Sequence, residues 1–382
     1  MLESSFTNHF SKLEDPRVTN HNTRHKFIEI LVLAFVAILC GCDDWVEVEE
    51  FCNRKIKMFK KFLELRHGIP SHDTFGRVFS MIDTCHFEEI FVDWMKEIFI
   101  KTKGEIIAVD GKTICGARNK NELKGIHLVN AWACKNKLTL GVMRVDSKTN
   151  EITVIPKLLK LLNIANCTVT LDAMGCQKKI ASEIIKNKAN YVLTVKENQA
   201  DLRCTLDTAL SIISKRKSFE HMDSGDEVEK RHGREEIRRY ISFPITSEFP
   251  LLSDEWEGIQ TVTKVIRKRN SSHEAREEIL FFISSHPYHS SKINNAIRSH
   301  WHIENRLHWQ LDVAFNEDHC RARIKNEAES IALMRRLSMA YLKKDTKTKV
   351  GIKCKRKVAS WDEEYLFDVL SNGLKLNQQQ GS

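Results

Sequence analysis

Ile106-Ile-Ala-Val-Asp110-Gly-Lys-Thr113 and Thr168-Val-Thr-Leu-Asp172-Ala-Met-Gly175 each run from apolar, β-prone residues into an aspartate and then a glycine. Short apolar runs of this kind read as strands, and the glycines allow tight turns after them. A carboxylate that ends an apolar strand must be paired, hydrated or bound to a cation. One such aspartate is ordinary turn chemistry. Two of them, on strands paired in one sheet, would emerge near the same edge and could share a divalent ion.

Working outward, residues 106–109, 127–134 and 138–145 read as three consecutive antiparallel strands, the last two joined at Lys135-Asn-Lys137. Residues 153–162 carry the helical stripe Ile155, Leu158, Leu159 and Leu162. A fourth strand follows at 167–171, a helix at 177–188 and a fifth strand at 191–195. The order βββαβαβ fits an RNase-H-like sheet, in which three antiparallel strands precede parallel ones joined through helices; a hairpin array beside an unrelated α/β unit fits it too. After a helix near 202–213 the chain turns polar, with strands expected at 237–243, 259–266 and 279–283. Helix returns from 293 to about 342. The expected architecture is an α/β, RNase-H-like catalytic core over 101–342 with a β-rich insertion at about 225–285, an α-helical N-terminal DNA-binding domain over 1–100 and a basic C-terminal tail over 343–382.

The 382 residues include 60 Lys and Arg against 51 Asp and Glu, a net charge of +9, with 42% apolar residues, 15 Gly and 6 Pro. That balance excludes collagenous, low-complexity and wholly disordered chains and favours an anionic partner. Eleven cysteines, with no CxxC pair, read as reduced thiols in cytoplasm. Residues 1–10 lack the basic start and apolar run of a secretion signal. The apolar run 27–42 contains Glu29 and is too short to span a bilayer, so it reads as a buried core helix, and no membrane is expected.

Residues 53–66 carry Arg54, Lys55, Lys57, Lys60, Lys61 and Arg66, followed by Gly68-Ile-Pro70 and then Ser71, a plausible N-cap with Thr74 and Arg77 facing out. The shape suggests helix, turn, helix, as a groove-reading helix would want, though a short surface helix needs no such purpose. The run 343–357 holds eight Lys or Arg against one Asp, and is either a solvated linker or a segment that follows phosphates.

The stretch Arg298-Ser-His-Trp-His-Ile-Glu304-Asn-Arg-Leu-His-Trp-Gln-Leu-Asp312 places Ile303, Leu307, Leu311 and Ala314 on a buried stripe bordered by His300, Glu304, His308 and Asp312. These polar groups could satisfy one another, or His300 and His308 could build a zinc site, although the HExxH phrase is absent. Gly111-Lys112-Thr113 looks like the end of a phosphate loop, but Ile106 stands where its leading glycine belongs, so no nucleotide cofactor is expected.

Eight phrases in order carry a resemblance: Trp45-Val-Glu-Val-Glu-Glu-Phe51, Ser71-His-Asp-Thr-Phe-Gly-Arg-Val-Phe79, Val109-Asp-Gly-Lys-Thr113, Asn150-Glu-Ile-Thr-Val-Ile-Pro156, Leu171-Asp-Ala-Met-Gly-Cys-Gln177, Lys196-Glu-Asn-Gln199, His232-Gly-Arg234, and the run from His300 to Asp318. Together, from about Phe10 to Leu342, they resemble the H-repeat-associated transposases, the ISAs-type insertion-sequence family. The resemblance implies an RNase-H-like core whose DDE triad, Asp110, Asp172 and Glu304, is both catalytic and metal-binding, with Mg²⁺ (or Mn²⁺) as cofactor, two ions in all. It implies double-stranded DNA as partner, both transposon ends and target, cut and joined by a homodimer on paired ends in the bacterial cytoplasm, at the nucleoid. Arg54, Lys55, Lys57, Thr74 and Arg77 are assigned to DNA in the helical domain, and Lys112, Arg298 and Arg306 beside the acids. A domesticated relative acting as a nuclease or as a non-catalytic DNA-binding protein is the alternative.

One departure stands out. The wider clan carries Tyr, Arg and Lys at seven before, four before and seven after the glutamate, where this chain has Ile297, His300 and Leu311. Arg298, Arg306, Arg321 or Arg323 would then supply the phosphate clamp, and Asp312, Glu317 and Asp318 are further candidates for the third acid. Without metal, mutual repulsion should raise at least one carboxyl pKa.

Overall fold

The computed structural model describes residues 8–18, 23–99, 104–117, 125–145, 150–213, 221–231, 234–245, 250–270 and 275–374. Of the quoted phrases, His232 and Gly233 lie outside the described residues, as do the last residues of the expected tail, 375–382.

The order expected over the first five strands is the order found. β1 (Ile106–Ile114), β2 (Ile126–Ala133) and β3 (Leu138–Val145) form an antiparallel meander. Helix α6 (Glu151–Leu161), β4 (Thr168–Leu171), α7 (Lys178–Lys186) and β5 (Asn190–Val195) follow, with β1, β4 and β5 parallel. Helix α8 (Ala200–Ile213) comes next, and the polar stretch beyond it, which holds the short α9 (Pro250–Glu255), is not a separate unit. Its strands β6 (Met222–Arg231), β7 (Arg234–Pro244), β8 (Thr261–Asn270) and β9 (Ala275–Ser284) continue the same sheet through β9, which pairs antiparallel with β5. The result is one nine-stranded mixed sheet in the order β3-β2-β1-β4-β5-β9-β8-β7-β6.

β6 was invisible in the sequence because Met-Asp-Ser-Gly-Asp-Glu-Val-Glu-Lys-Arg has no apolar alternation. Cross-strand charges hold this edge instead: Arg239 with Asp223, and Lys230 with Glu235 at 2.9 Å. Charged edges also discourage pairing with another chain.

Alternation along the strands divides the core between two faces. Ile107, Val109, Val129 and Ala131 point toward α6 and α7. Ile106, Ala108, Leu128 and Trp132 point toward a helical layer that joins both ends of the chain. Its centre is α1 (Phe27–Leu39), apolar on every side and therefore buried on every side. The one acid in it, Glu29, accepts the Leu65 amide at 2.9 Å. No helix among the described residues is long and apolar enough to cross a membrane, and all eleven cysteines are free thiols.

α2 (Trp45–Arg54), the short α3 (Ile56–Phe59), α4 (His72–Met81) and α5 (Thr84–Ile98) surround α1. Ser71 caps α4 as expected, accepting the Thr74 amide. The compact helix-turn-helix is not formed, because residues 60–71 separate α3 from α4 and 53–66 is not one helix. Later helices complete the layer: α10 (Ser291–Ile303), α11 (Trp309–Phe315), α12 (Glu327–Lys344), α13 (Ile352–Trp361) and α14 (Glu363–Leu374).

The expected basic tail is therefore largely helical. Lys355 and Arg356 are buried. Arg356 donates to the carbonyls of Ile38 at 2.7 Å and Cys42 at 3.2 Å and pairs with Asp43 at 3.1 Å, tying the C-terminal end of α1 to α13. Lys355 pairs with Asp345 at 3.2 Å. Two charges of a run that the sequence left open between solvent and phosphate instead hold helices together.

Candidate active site

Parallel pairing of β1 with β4 ends at Val109 opposite Leu171, so Asp110 and Asp172 are the next residues on neighbouring strands. The two acids singled out by sequence thus emerge side by side, on strands roughly 4.8 Å apart. Asp172 Oδ1 accepts the amides of Met174 at 3.0 Å and Gly175 at 3.2 Å, which fixes its carboxylate in the turn.

α10 packs across β1 and β4. The helix then opens into a single π-turn, Glu304–His308, before α11. Two four-residue steps from Ile303 to Leu307 to Leu311 would drift roughly 40° each around an ideal helix. The wider turn absorbs that drift, and Ile303, Leu307, Leu311 and Ala314 all remain buried. π-turns of this kind recur at functional sites. This one begins at the third candidate acid, Glu304, which is exposed.

A fourth carboxylate, missed in the sequence, joins from the opposite face of the sheet. Glu151 opens α6, whose first turn is fixed by the Asn150 cap on the Thr153 amide. Its Oε1 lies 2.5 Å from Nε2 of His127 on β2, and Nδ1 of that ring lies 2.8 Å from the Thr113 hydroxyl on β1. A Cβ on Gly111 would fall 2.3 Å from the Glu151 oxygen and 2.5 Å from the imidazole nitrogen. The glycine after Asp110 therefore makes room for a carboxylate-imidazole pair. The available signal was the phrase Asn150-Glu-Ile-Thr, an N-cap followed by an acid directly after three strands.

Burial raises the Asp110 pKa to about 7, with further pushes from the negative charges of Asp172, Glu151 and Glu304, against one backbone hydrogen bond from Gly111 that lowers it. Asp172 is raised as well, by burial first and then Glu151, with the Gly175 and Met174 amides and Lys196 pulling the other way. Burial is the larger cause for both groups and neighbouring negative charge adds to it, which ties all four acids to one locality. Nδ1 of His308 is 3.7 Å from Asp110 Oδ2. Burial holds His308 down at about 3, helped by Arg336 and Lys112. At neutral pH this is a contact with a neutral imidazole, not an ion pair. Its Nε2 is buried without a hydrogen-bond partner among the described residues. His300 is also pushed down, to about 4, by burial and Lys196, and its Nδ1 lies 3.0 Å from the Thr170 hydroxyl, fastening α10 over β4.

The other candidate acids are matched by fixed cations. Lys112 sits between Asp312 at 2.7 Å and Asp318 at 3.1 Å. Glu317 pairs with Arg336 at 2.8 Å, both fully buried, and Arg336 also donates to Asn130, the residue opposite Asp110 on β2. Lys112, assigned to DNA from the sequence, is buried here and its ammonium is engaged by two carboxylates of the same chain. Among the described residues no three His, Cys, Asp or Glu side chains are drawn closely enough together to hold a metal ion. The four acids share a locality without converging on one point.

The remaining residues assigned to DNA are scattered. Arg298 reaches across to Glu229 on β6 at 2.8 Å, Arg306 stands in the π-turn, and Arg321 and Arg323 are exposed. Lys55 pairs with Glu363 at 3.5 Å, Arg54 with Glu50 at 3.6 Å, and the Thr74 hydroxyl lies 3.2 Å from that of the Ser71 cap. Lys57 and Arg77 are exposed.

Comparison with known proteins places these features. Residues 101–342 match the family described as "Transposase DDE domain", and residues 7–95 the one described as "DDE_Tnp_1-associated". YncI of Escherichia coli O157:H7, which carries a transposase name, is 38% identical over 378 residues, covering 97% of this chain and 96% of its own. YhhI of Escherichia coli K12, named as H repeat-associated, is 36% identical over 95% of this chain and 97% of its own. A piggyBac transposase in a synaptic complex with hairpin DNA aligns with a TM-score of 0.42 at 12% identity, covering 100% of this chain and 83% of that one, a likeness too loose to add to the assignment. On the length of its match and the two relatives that run nearly end to end with it, the chain belongs to the DDE transposase family.

Proposed function

We propose that this transposase binds the terminal inverted repeats of its element, cleaves DNA at the ends and transfers the resulting 3′-hydroxyl to target DNA, with Asp110, Asp172 and Glu304 as its catalytic acids on an RNase-H-like core. A homodimer would hold the two ends together, in the cytoplasm at the nucleoid. The observation that carries the reading is the parallel register that brings Asp110 and Asp172 out side by side in a chain that matches the transposase DDE domain. Asp312, Glu317 and Asp318 each have a fixed cation, which supports Glu304 as the third acid.

The chemistry of these donors suits a divalent cation, because oxygen donors that raise one another's pKa are relieved when positive charge is placed among them; side-chain movement must first bring three of them together. Mg²⁺ or Mn²⁺, two ions in all, would be held by Asp110, Asp172 and Glu304 with Glu151 as a further carboxylate, and would supply charge neutralisation and an activated oxygen nucleophile. The chain's own part is positional. Backbone amides anchor one oxygen of Asp172, neutral His308 shields Asp110 from water, and the hydrogen bond between Thr170 and His300 keeps the helix of Glu304 over the strands.

Asp172→Asn is the test. Cleavage of an end-bearing duplex in Mg²⁺ should be lost while gel-shift affinity stays within about twofold, since carboxylates hold metal and basic surfaces hold phosphate. Retained cleavage would remove Asp172 from the site.

A further inference from the structure

The catalytic helix has a second polar stripe that the acids do not use. Lys292, Asn295, Ser299, His302 and Arg306 recur at steps of three and four residues, so one face of α10 and the π-turn presents an ammonium, an amide, a hydroxyl, an imidazole and a guanidinium in line. They wall a cavity of about 510 Å³ whose floor is the start of β1 at Ile106 and of β4 at Thr168. The turn between β2 and β3 adds Lys135 and Lys137 at the rim. This is the opposite end of the parallel strands from Asp110 and Asp172.

Eight of the eleven lining residues carry a cationic or hydrogen-bonding side chain, and none of them is Asp or Glu. The adjacent acid, Glu105, is turned inward and accepts the Lys135 amide at 2.8 Å and the Asn136 side-chain amide at 2.5 Å. A second observation reports the same excess. Lys343 is buried beside the cavity, its ammonium 2.9 Å from the Arg306 carbonyl and 4.1 Å above the Trp132 ring. Burial depresses its pKa, and the charges of Lys137 and Arg306 depress it further. Lys137, Lys292 and Arg306 thus gather positive charge around a recess whose donors suit a tetrahedral oxyanion, while Glu105 beside it is engaged by the turn between β2 and β3.

We propose that this cavity is a phosphate site for the DNA backbone, lying outside the acid cluster and fixed to it through the helix that carries Glu304. The inference rests on the transposase reading for the identity of the anion. Five residues separate Ser299 from Glu304 and nine separate Asn295 from it, roughly 7.5 to 14 Å at 1.5 Å per residue. Phosphates of one strand advance about 3.4 Å along a duplex, so the cavity lies within reach of a phosphate some two to four nucleotides from the cut. The site would set which bond meets the acids.

Lys137 and Lys292 are exposed, so their replacement should leave the fold intact. The full chain and a Lys137→Gln/Lys292→Gln variant should be titrated against salt with a duplex carrying the terminal repeat that flanks the coding sequence. The variant's slope of log affinity against log salt should fall by about two units, and Lys137→Arg/Lys292→Arg should restore it. A single methylphosphonate two to four nucleotides from the cut should weaken binding by the wild type about tenfold and make no further difference to the variant. An unchanged slope, or equal weakening of both proteins, overturns the phosphate site while leaving the transposase reading in place. A wild type that does not prefer the terminal repeat to random duplex overturns that reading, and the DNA assignment of the cavity with it. Inorganic phosphate that raises the melting temperature of the wild type alone, with the DNA slope unchanged, would make this a free-oxyanion site and also overturn the DNA assignment.

Discussion

Glu151 and His127 meet at 2.5 Å across the end of the sheet, in space that Gly111 leaves open beside Asp110. The contact brings a helix from one face of the sheet to a cluster otherwise supplied by strand ends and by the helix on the other face. Glu151→Gln should weaken Mn²⁺ binding about tenfold in calorimetric titration, because it removes a charge felt by both Asp110 and Asp172. Unaltered affinity would leave Glu151 a purely structural partner of His127. Gly111→Ala should mimic the loss by displacing the pair.

Asp110 makes a prediction about stability with a definite sign. Its folded-state pKa of about 7 lies above the 3.8 of an unperturbed aspartate. Between these values the folded chain keeps a proton that the unfolded chain has lost, so stability falls as pH rises through the window and levels off above it. Asp110→Asn should flatten this dependence and raise stability at pH 8 by about 2 kcal/mol. Denaturant melts of both proteins at pH 5 and pH 8 would show it. Equal slopes with pH would mean that Asp110 is ionised like any surface aspartate.

The third acid can be isolated among its neighbours. Glu304→Gln should eliminate cleavage with a normal melting curve. Asp312→Asn should keep substantial activity, since Lys112 retains Asp318. Glu317→Gln strands the fully buried Arg336 and should cost about 3–5 kcal/mol, a folding defect rather than a chemical one. A stable but inactive Asp312→Asn would move the assignment of the acid.

Neutralising Arg356 should not act as loss of a phosphate contact would. Arg356→Gln abandons carbonyl acceptors at the end of α1 and leaves Asp43 unpaired, with an expected loss of about 2–4 kcal/mol. Thermal melts decide it: a wild-type melting temperature with a flattened salt slope would return this residue to DNA.

Sequence recognition is expected at the exposed edge of α4. Arg77→Gln should reduce the preference for terminal repeat over random duplex by about tenfold, the scale of one base contact. Competition gel shifts measure the ratio directly, and an undiminished preference would move recognition to another element.

How much of this was legible depends on what kind of signal each part leaves. Asp110 and Asp172 could be read because strand ends are marked by an apolar run that stops, and their register follows from parallel pairing. The helix that carries Glu304 could be read from its buried stripe, while the choice of Glu304 among the polar residues beside that stripe came from the family resemblance, and the π-turn beneath it has no local signature. Glu151 could not, since its role comes from a neighbour on β2 and a missing side chain on β1. Lys112, Lys355 and Arg356 share one lesson: a positive charge in a sequence does not disclose whether its counter-charge lies elsewhere in the same chain. β6 escaped notice because its stability lies in ionic pairs rather than in a hydrophobic pattern.

The layer around α1 is built from both ends of the chain: Phe35 meets Tyr341, Trp45 donates to Glu327, and Arg356 closes the carbonyl end. During synthesis the first helices therefore leave the ribosome without the partners that bury them, and must wait until α12 and α13 have emerged. A copy of the gene cut short before these helices would yield a protein with exposed apolar helices at its beginning as well as a missing end. Truncation would silence it at the level of folding, even with every acid of the active site still encoded.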